Sequence, residues 1–186
     1  MKKLLLFACT LFTFTMVNAQ GFSFSIKAAP AMSNYIGKDA EEEEAKARFG
    51  FLAGVGVDYD FYNGAAIQTG LYATLQGAKF PSNRKENLFY LQLPLHIAYK
   101  VDFTPGTRIV FHGGPHAAYG LSGKTNDGSN LFNDSYKRFD VGAGIGVGLD
   151  INRFLLDLGW DMGFINLCDC SKKKNMIAHL SLGYRF

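Results

Sequence analysis

The sequence predicts an all-β protein: an eight-stranded antiparallel up-and-down transmembrane β-barrel behind an N-terminal signal peptide. Three observations predict it. From residue 22 onward, eight segments alternate side chains in period two. In each segment one of the two frames is bulky and carries no charge. Long polar connections then alternate with short turns between the segments.

The chain opens Met1-Lys2-Lys3, then runs apolar from Leu4 to Val17 and on to Asn18-Ala19. A positive start, a short apolar core and a small-residue end describe a secretory signal peptide. The core is too short, and too interrupted by Thr, to cross a bilayer as a helix. The sequence therefore divides into residues 1–19, a signal peptide, and residues 20–186, the barrel domain. Leu6-Phe7-Ala8-Cys9 offers a competing reading as a lipoprotein box, with a signal core of only five apolar residues ahead of the cysteine. Loss of Lys2 and Lys3 with the leader lowers the formal net charge of +3 by two. Lys172-Lys173-Lys174 is then the one basic run, so no nucleic-acid partner is expected.

The segments follow in order. The first, 22–28, sets Phe22, Phe24, Ile26 and Ala28 against Ser23, Ser25 and Lys27. The second, 49–59, sets Phe49, Phe51, Val55, Val57 and Tyr59 against Gly50, Gly54, Gly56 and Asp58. The third, 67–76, sets Ile67, Leu71 and Leu75 against Gln68, Tyr72 and Gln76. The fourth, 89–100, sets Phe89, Leu91, Leu93, Leu95, Ile97 and Tyr99 against Tyr90, Gln92, His96 and Lys100. The fifth, 108–119, sets Ile109, Phe111 and Tyr119 against Arg108, His112 and His116. The sixth, 139–150, sets Phe139, Val141, Ile145, Val147 and Leu149 against Asp140, Asp150 and four glycines at 142, 144, 146 and 148. The seventh, 154–164, sets Phe154, Leu156, Leu158, Trp160 and Phe164 against Asp157, Gly159 and Asp161. The eighth, 176–186, sets Met176, Leu180, Leu182, Tyr184 and Phe186 against His179, Ser181 and Arg185.

With 19% of residues charged, about six positions in each of eight strands would hold roughly nine charges by chance. The bulky frames hold none, and the charges gather in the other frame. A soluble barrel puts bulky apolar residues inside, whereas lipid penalises an outward charge by about 2–4 kcal/mol at the midplane. The bulky frame is therefore expected to face lipid. Aromatic residues end that frame ten residues apart, at Phe49 and Tyr59, Phe89 and Tyr99, and Phe154 and Phe164. Ten residues at ~3.3 Å rise and ~40° tilt span about 25 Å, the height of a barrel's apolar band. Residues 33–48, 79–87, 122–137 and 166–175 are the longer polar connections, and 60–64, 101–106 and 151–153 the short turns. That alternation puts both termini in the periplasm and the long loops outside.

The last seven residues, Leu180-Ser181-Leu182-Gly183-Tyr184-Arg185-Phe186, resemble the C-terminal signal that the outer-membrane barrel-assembly machinery reads. Tyr90-Leu91-Gln92-Leu93-Pro94-Leu95, Gly113-Gly114-Pro115 with Tyr119-Gly120-Leu121, and Phe139-Asp140-Val141-Gly142-Ala143-Gly144 together resemble the PorT-like small outer-membrane β-barrels of Bacteroidetes. The resemblance covers nearly all of residues 20–186. It implies an integral outer-membrane protein of a Gram-negative cell and, through the founding member, a link to a type IX secretion apparatus.

An eight-stranded barrel holds side chains or one small ligand, not a channel. The inward charges are expected to form a network of ion pairs. The glycine walls of the second and sixth segments are expected to approach each other or to make room for Tyr72, Tyr90, Gln92, His96 and Arg185. His96, His112, His116 and His179 all fall in the inward frame. His112 and His116 lie roughly 13 Å apart along one strand, too far to share an ion. A lipid-modifying enzyme would draw on His116 with Ser122 or Ser135. Glu41-Glu42-Glu43-Glu44 reads as a solvated acidic loop, with weak Ca²⁺ or Mg²⁺ binding as the sharper alternative, and Ala40, Ala45 and Ala47 beside it suit a short helical turn. Cys168-Asp169-Cys170 reads as a disulfide, with a free thiol pair or a soft-metal site as the sharper alternative.

The expected function is a small non-enzymatic integral outer-membrane barrel, not an open pore, whose outer loops serve envelope or surface interactions. The alternatives are a type IX secretion accessory and a lipid-modifying enzyme. No catalytic, cofactor or metal residue is assigned. The expected partners are outer-membrane lipid, the assembly machinery and surface or secretion proteins, with the barrel itself a monomer.

Overall fold

A computed structural model of the chain describes residues 21–81, 84–126, 128–134, 136–168 and 172–186. The expected signal peptide, Cys9, Ser135 and Cys170 lie outside these residues. Strands β1 (Phe22–Ile36), β2 (Arg48–Asp60), β3 (Ala65–Gln76), β4 (Glu86–Thr104), β5 (Thr107–Thr125), β6 (Phe139–Ile151), β7 (Phe154–Gly163) and β8 (Lys174–Arg185) pair in sequence order. β8 returns antiparallel to β1, from Ser25 opposite Arg185 to Ile36 opposite Lys174, and closes the barrel. Among the described residues no helix is long and apolar enough to cross a membrane. A closed sheet is the other way to satisfy every amide in hydrocarbon.

The alternation lies in the expected phase in all eight strands. Ile97 is 74% exposed and its neighbour Ala98 2%, while Leu182 is 67% exposed and Ser181 1%. Asp58, Lys100, Asp140, Asp150, Asp157 and Asp161 are buried in the lumen.

Several strands run further than the sequence pattern shows. β1 continues to Ile36, eight residues beyond the expected segment. Its upper half, Ala28-Ala29-Pro30-Ala31, is made of small residues and proline, so the alternation there carries no polarity contrast. Met32 nevertheless points out while Ala31, Ser33 and Tyr35 are buried. β4 and β5 reach 19 residues each, which reduces the expected turn at 101–106 to Pro105-Gly106. Gly106 takes φ +81 there, a left-handed conformation that glycine adopts without strain.

Proline has no N–H to give a ladder, and the ladder lapses beside each strand proline. Pairing of β1 with β8 passes from Ala28–Leu182 to Ala31–His179 across Pro30. Pairing of β3 with β4 passes from Thr69–Leu95 to Tyr72–Gln92 across Pro94. Pairing of β4 with β5 passes from Pro94–His116 to Ile97–Gly113 across Pro115. The hydroxyl of Thr69 donates to the Pro94 carbonyl at 2.8 Å, which satisfies an acceptor that lipid could not.

The connections on the short-turn side are Phe61–Gly64, Pro105-Gly106 and Asn152-Arg153. On the other side, α1 (Lys38–Glu42) and α2 (Leu131–Asp134) sit in two of the four longer loops. α1 is the helical turn expected beside Ala40.

The half-exposed Leu95 lies near the middle of β4's outward row. Leu95→Arg is expected to destabilise the barrel in lipid vesicles by about 2–4 kcal/mol. Phe103→Arg, at the strand's far end, is expected to cost about 0–1 kcal/mol. Denaturant unfolding of both variants in the same vesicles checks the contrast.

Candidate functional site

Six inward charges from five strands close the short-turn mouth of the barrel. Lys100 lies 3.0 Å from Asp58 and 2.6 Å from Asp60. Arg108 lies 3.9 Å from Asp60 and 3.6 Å from Asp150. Arg185 lies 2.7 Å from Asp150 and 3.5 Å from Asp58. The pairs form one alternating ring of three acids and three bases. The amide of Gln68 adds a hydrogen bond to Asp58 at 3.0 Å. Parity selects these residues, because each sits in the inward frame near a short turn or a chain end. Each buried charge thereby has the partners that its loss of water demands.

Above the ring lies a layer of carboxylates and imidazoles. His112 Nε2 is 2.6 Å from Asp157, and His112 Nδ1 is 3.0 Å from His96 Nδ1, with the two rings stacked at 5.2 Å. A neutral His112 that donates to Asp157 accepts at Nδ1, so His96 donates from Nδ1 and keeps Nε2 as an acceptor. Asp161 accepts from the Gln92 amide at 3.1 Å and lies 3.7 Å from His179. Gln92 Oε1 and His96 Nε2 are buried without a protein partner, and both residues line a cavity of about 50 Å³. That volume suits roughly three or four waters. One level higher, Asn175 donates to Asp140 at 3.1 Å and to the Tyr90 hydroxyl at 3.3 Å.

The glycines serve as the floor on which these groups lie. An added methyl at Gly54 or Gly56 would strike Tyr72. At Gly142 it would strike His116, at Gly144 Asp161, at Gly146 His112 and at Gly159 His179. The glycines of β2 and β6 do not reach across the lumen to each other. Of the two expected arrangements the second holds in part: Tyr72 and His96 lie against these glycines, but His112, His116, Asp157 and Asp161 take the places expected for Tyr90, Gln92 and Arg185. Glycine is needed because an eight-stranded lumen has no spare width for a ring beside a Cβ.

The long-loop end is sealed by apolar packing. Tyr35, Phe80, Leu88, Phe132 and Leu167 form one buried cluster with Ala40 of α1. Phe132, on α2, lies over Gly120 and Gly123, and its ring meets Tyr90 edge-on at 5.8 Å. Buried Glu86 accepts from Arg84 at 2.7 Å and from the Tyr136 hydroxyl at 2.8 Å. Burial, and after it the Glu86 carboxylate, pushes the Tyr136 phenol well above its usual range. Glu43 accepts from Lys173 at 2.6 Å and lies 3.8 Å from Arg84. Over this cap opens a cleft of about 440 Å³, lined by Asp39, Glu42, Glu43, Arg84, Tyr136 and Lys173 among others. Cys168, at its edge, is disulfide-bonded.

The histidines of the sequence reading all face the lumen, where His96 and His112 stack on each other while His116 lies over Gly142 and His179 over Gly159. Among the described residues no group of three or more His, Cys, Asp or Glu side chains could hold a metal ion. Ser122 stands opposite Phe89 because Leu121 bulges out of the ladder, so it lies on the outward face while His116 is buried inside. Of the acidic run, Glu43 is tied into the cap, while Glu41, Glu42 and Glu44 remain exposed. The cap itself was missed in the sequence. Phe80, Phe132 and Leu167 were the available signal, as isolated bulky residues inside otherwise polar loops.

Lys100→Gln is expected to leave Asp58 and Asp60 under-compensated and to cost about 3–5 kcal/mol, the penalty for removing one partner of a buried pair. Gly146→Ala is expected to cost about 1–3 kcal/mol through overpacking against His112. Equilibrium unfolding of refolded protein in vesicles measures both.

Residues 18–169 match the family model described as outer membrane protein beta-barrel domain. Among solved structures, Neisserial surface protein A is similar at a TM-score of 0.55 and 16% identity, over 89% of this chain and 98% of that one. The attachment invasion locus protein Ail of Yersinia pestis is similar at 0.51 and 19%, over 89% and 99%. The outer membrane protein OprG of Pseudomonas aeruginosa is similar at 0.50 and 16%, over 89% and 96%. At these identities the likeness is one of fold. A comparison with curated proteins gives no significant match. The lipid-facing frame, the closed sheet and the matched residues lead to one conclusion: the chain belongs to the outer membrane protein beta-barrel domain family and is a small eight-stranded integral barrel of the outer membrane.

Proposed function

We propose that this barrel is a non-enzymatic, non-conducting monomer whose long-loop end meets partners at the cell surface. The observation that carries this reading is the contrast between its two ends. The short-turn mouth is closed by a neutral ring of charges, and the lumen above it is occupied by paired side chains. The long-loop end bears a mixed-charge cleft of about 440 Å³ on a packed floor. Residues 1–19 act in this reading as a cleaved signal peptide, and both termini are periplasmic. β8 and the residue after it, with Leu180, Leu182 and Phe186 exposed on the outward face, serve the assembly machinery. The segments containing Tyr90-Leu91-Gln92-Leu93-Pro94-Leu95 and Phe139-Asp140-Val141-Gly142 support placement near the PorT-like barrels of Bacteroidetes. Service to a type IX apparatus rests on that resemblance alone. Separation of His116 from Ser122 speaks against lipid modification.

Two measurements test the reading. In planar bilayers the refolded protein is expected to stay silent, and stepwise conductance would contradict a filled lumen. On intact cells trypsin is expected to cut at Lys38 or Lys137 in the long loops and to spare Arg153 in the β6–β7 turn. Cleavage at Arg153 alone would reverse the orientation.

A further inference from the structure

Three lysines stand side by side on the outward face at the long-loop rim. Lys46 is opposite Lys79, and Lys79 is opposite Lys85. Lys46 and Lys79 exchange both backbone hydrogen bonds, at 2.8 and 3.0 Å. The bonds flanking the next pair run from Phe80 to Arg84 and from Glu86 to Ala78. Lys79 and Lys85 are therefore a non-hydrogen-bonded pair, the type in which side chains stand closest. Directly opposed side chains share a face of the sheet, and like charges so placed repel. The face is the lipid-side one. The register that sets Leu75 opposite Phe89 and Gln76 opposite Leu88 continues to Lys79 and Lys85, in the frame of Leu75 and Phe89. Ala78 and Glu86, in the other frame, are buried inside. Lys124 extends the row onto β5, opposite Asn87.

All four lysines are exposed, and among the described residues none has an acidic partner. The acids Glu86 and Glu43 are engaged elsewhere. Glu86 takes Arg84 and Tyr136 inside the cap, and Glu43 takes Lys173 and Arg84. Phe49, Phe51 and Phe89 lie below the row on the outward face, with the rings of Phe51 and Phe89 at 6.4 Å. Such an aromatic belt marks the membrane–water interface, so the row sits about 10 Å higher along the tilted strands, at headgroup level. Neighbouring strands are about 4.8 Å apart, so one phosphate can touch two adjacent ammonium groups.

We propose that Lys46, Lys79, Lys85 and Lys124 form a binding strip for the phosphate groups of an anionic lipid in the outer leaflet. The aromatic belt below the strip takes the acyl chains, and the phosphate relieves the repulsion between the opposed lysines. The assignment to the outer leaflet rests on the orientation proposed above. Phosphate recognition by the strip does not, so trypsin cleavage on cells and lipid binding in vitro can fail separately.

The test compares the refolded wild-type chain with the Lys46→Gln, Lys79→Gln, Lys85→Gln triple variant. The vesicles are phosphatidylcholine alone, or phosphatidylcholine doped with diphosphoryl lipid A. Wild type is expected to retain lipid A through detergent extraction and the variant to bind it about a hundredfold more weakly, from roughly fivefold per lysine at an anionic surface. Unfolding midpoints give a second readout. In pure phosphatidylcholine the variant is expected to be at least as stable as wild type, because repulsion is gone. In doped vesicles the order is expected to reverse. Lys79→Gln alone, at the centre of the row, repeats the comparison with the least perturbation. Equal lipid retention, or the same stability order in both vesicles, would overturn the proposal. Reversal by inorganic phosphate in pure phosphatidylcholine would assign the strip to a soluble anion and also overturn it.

Discussion

Hydrocarbon offers no partner to a free amide, so the seam between β1 and β8 is the contact on which the rest of the molecule depends. Closing the sheet at eight strands fixes a lumen only wide enough for side chains. Two consequences follow. Outward positions in the span must be uncharged, and polar only where they are bonded within the wall as Thr69 is, so charged residues have only the lumen as a place in the span. The inward charges at the narrow mouth must then find partners at once, because little water accompanies them. The alternating ring from Asp58 through Lys100, Asp60, Arg108 and Asp150 to Arg185 is how the narrow mouth meets that demand.

The layers above the ring follow the same logic with less charge. Imidazoles and amides replace cations where the aspartates of β7 project inward, and the rings of His112, His116 and His179 each lie over a glycine of a neighbouring strand. At the long-loop end polarity gives way to an apolar plug, with one buried carboxylate, Glu86, held by Arg84 and Tyr136. A barrel wall so constrained leaves its variable chemistry to the two surfaces that the lumen does not dictate. These are the cleft above the plug and the lipid-side rim.

Most of the wall was legible in the sequence because membrane strands enforce polarity with period two. Phe89 to Tyr99 and Phe139 to Leu149 could be read residue by residue. The reading stopped where that enforcement stops. Beyond the belt, β1 runs through Ala28-Ala29-Pro30-Ala31, and β4 through Asp102 to Thr104, where solvent accepts either frame and alternation loses its meaning. The glycines signalled crowding but not what crowds them, since the occupant of Gly146 comes from β5 and that of Gly159 from β8. The cap and the lysine row were illegible for a further reason. Both arise from register between segments distant in sequence, such as Phe132 over Gly120 or Lys46 beside Lys79. Leu121 shows the limit most sharply: one bulged residue moves Ser122 to the outward face and breaks its sequence-level partnership with His116.

The account stands or falls on which frame meets lipid. Single nitroxide labels placed in turn at positions 89 to 99 of β4, in vesicles, measure this through collision with oxygen dissolved in the bilayer. High oxygen accessibility at Phe89, Leu91, Leu93, Leu95, Ile97 and Tyr99, with protection at Tyr90, Gln92, His96 and Ala98, is the expected pattern. Accessibility of opposite phase, or without a period of two, would contradict it.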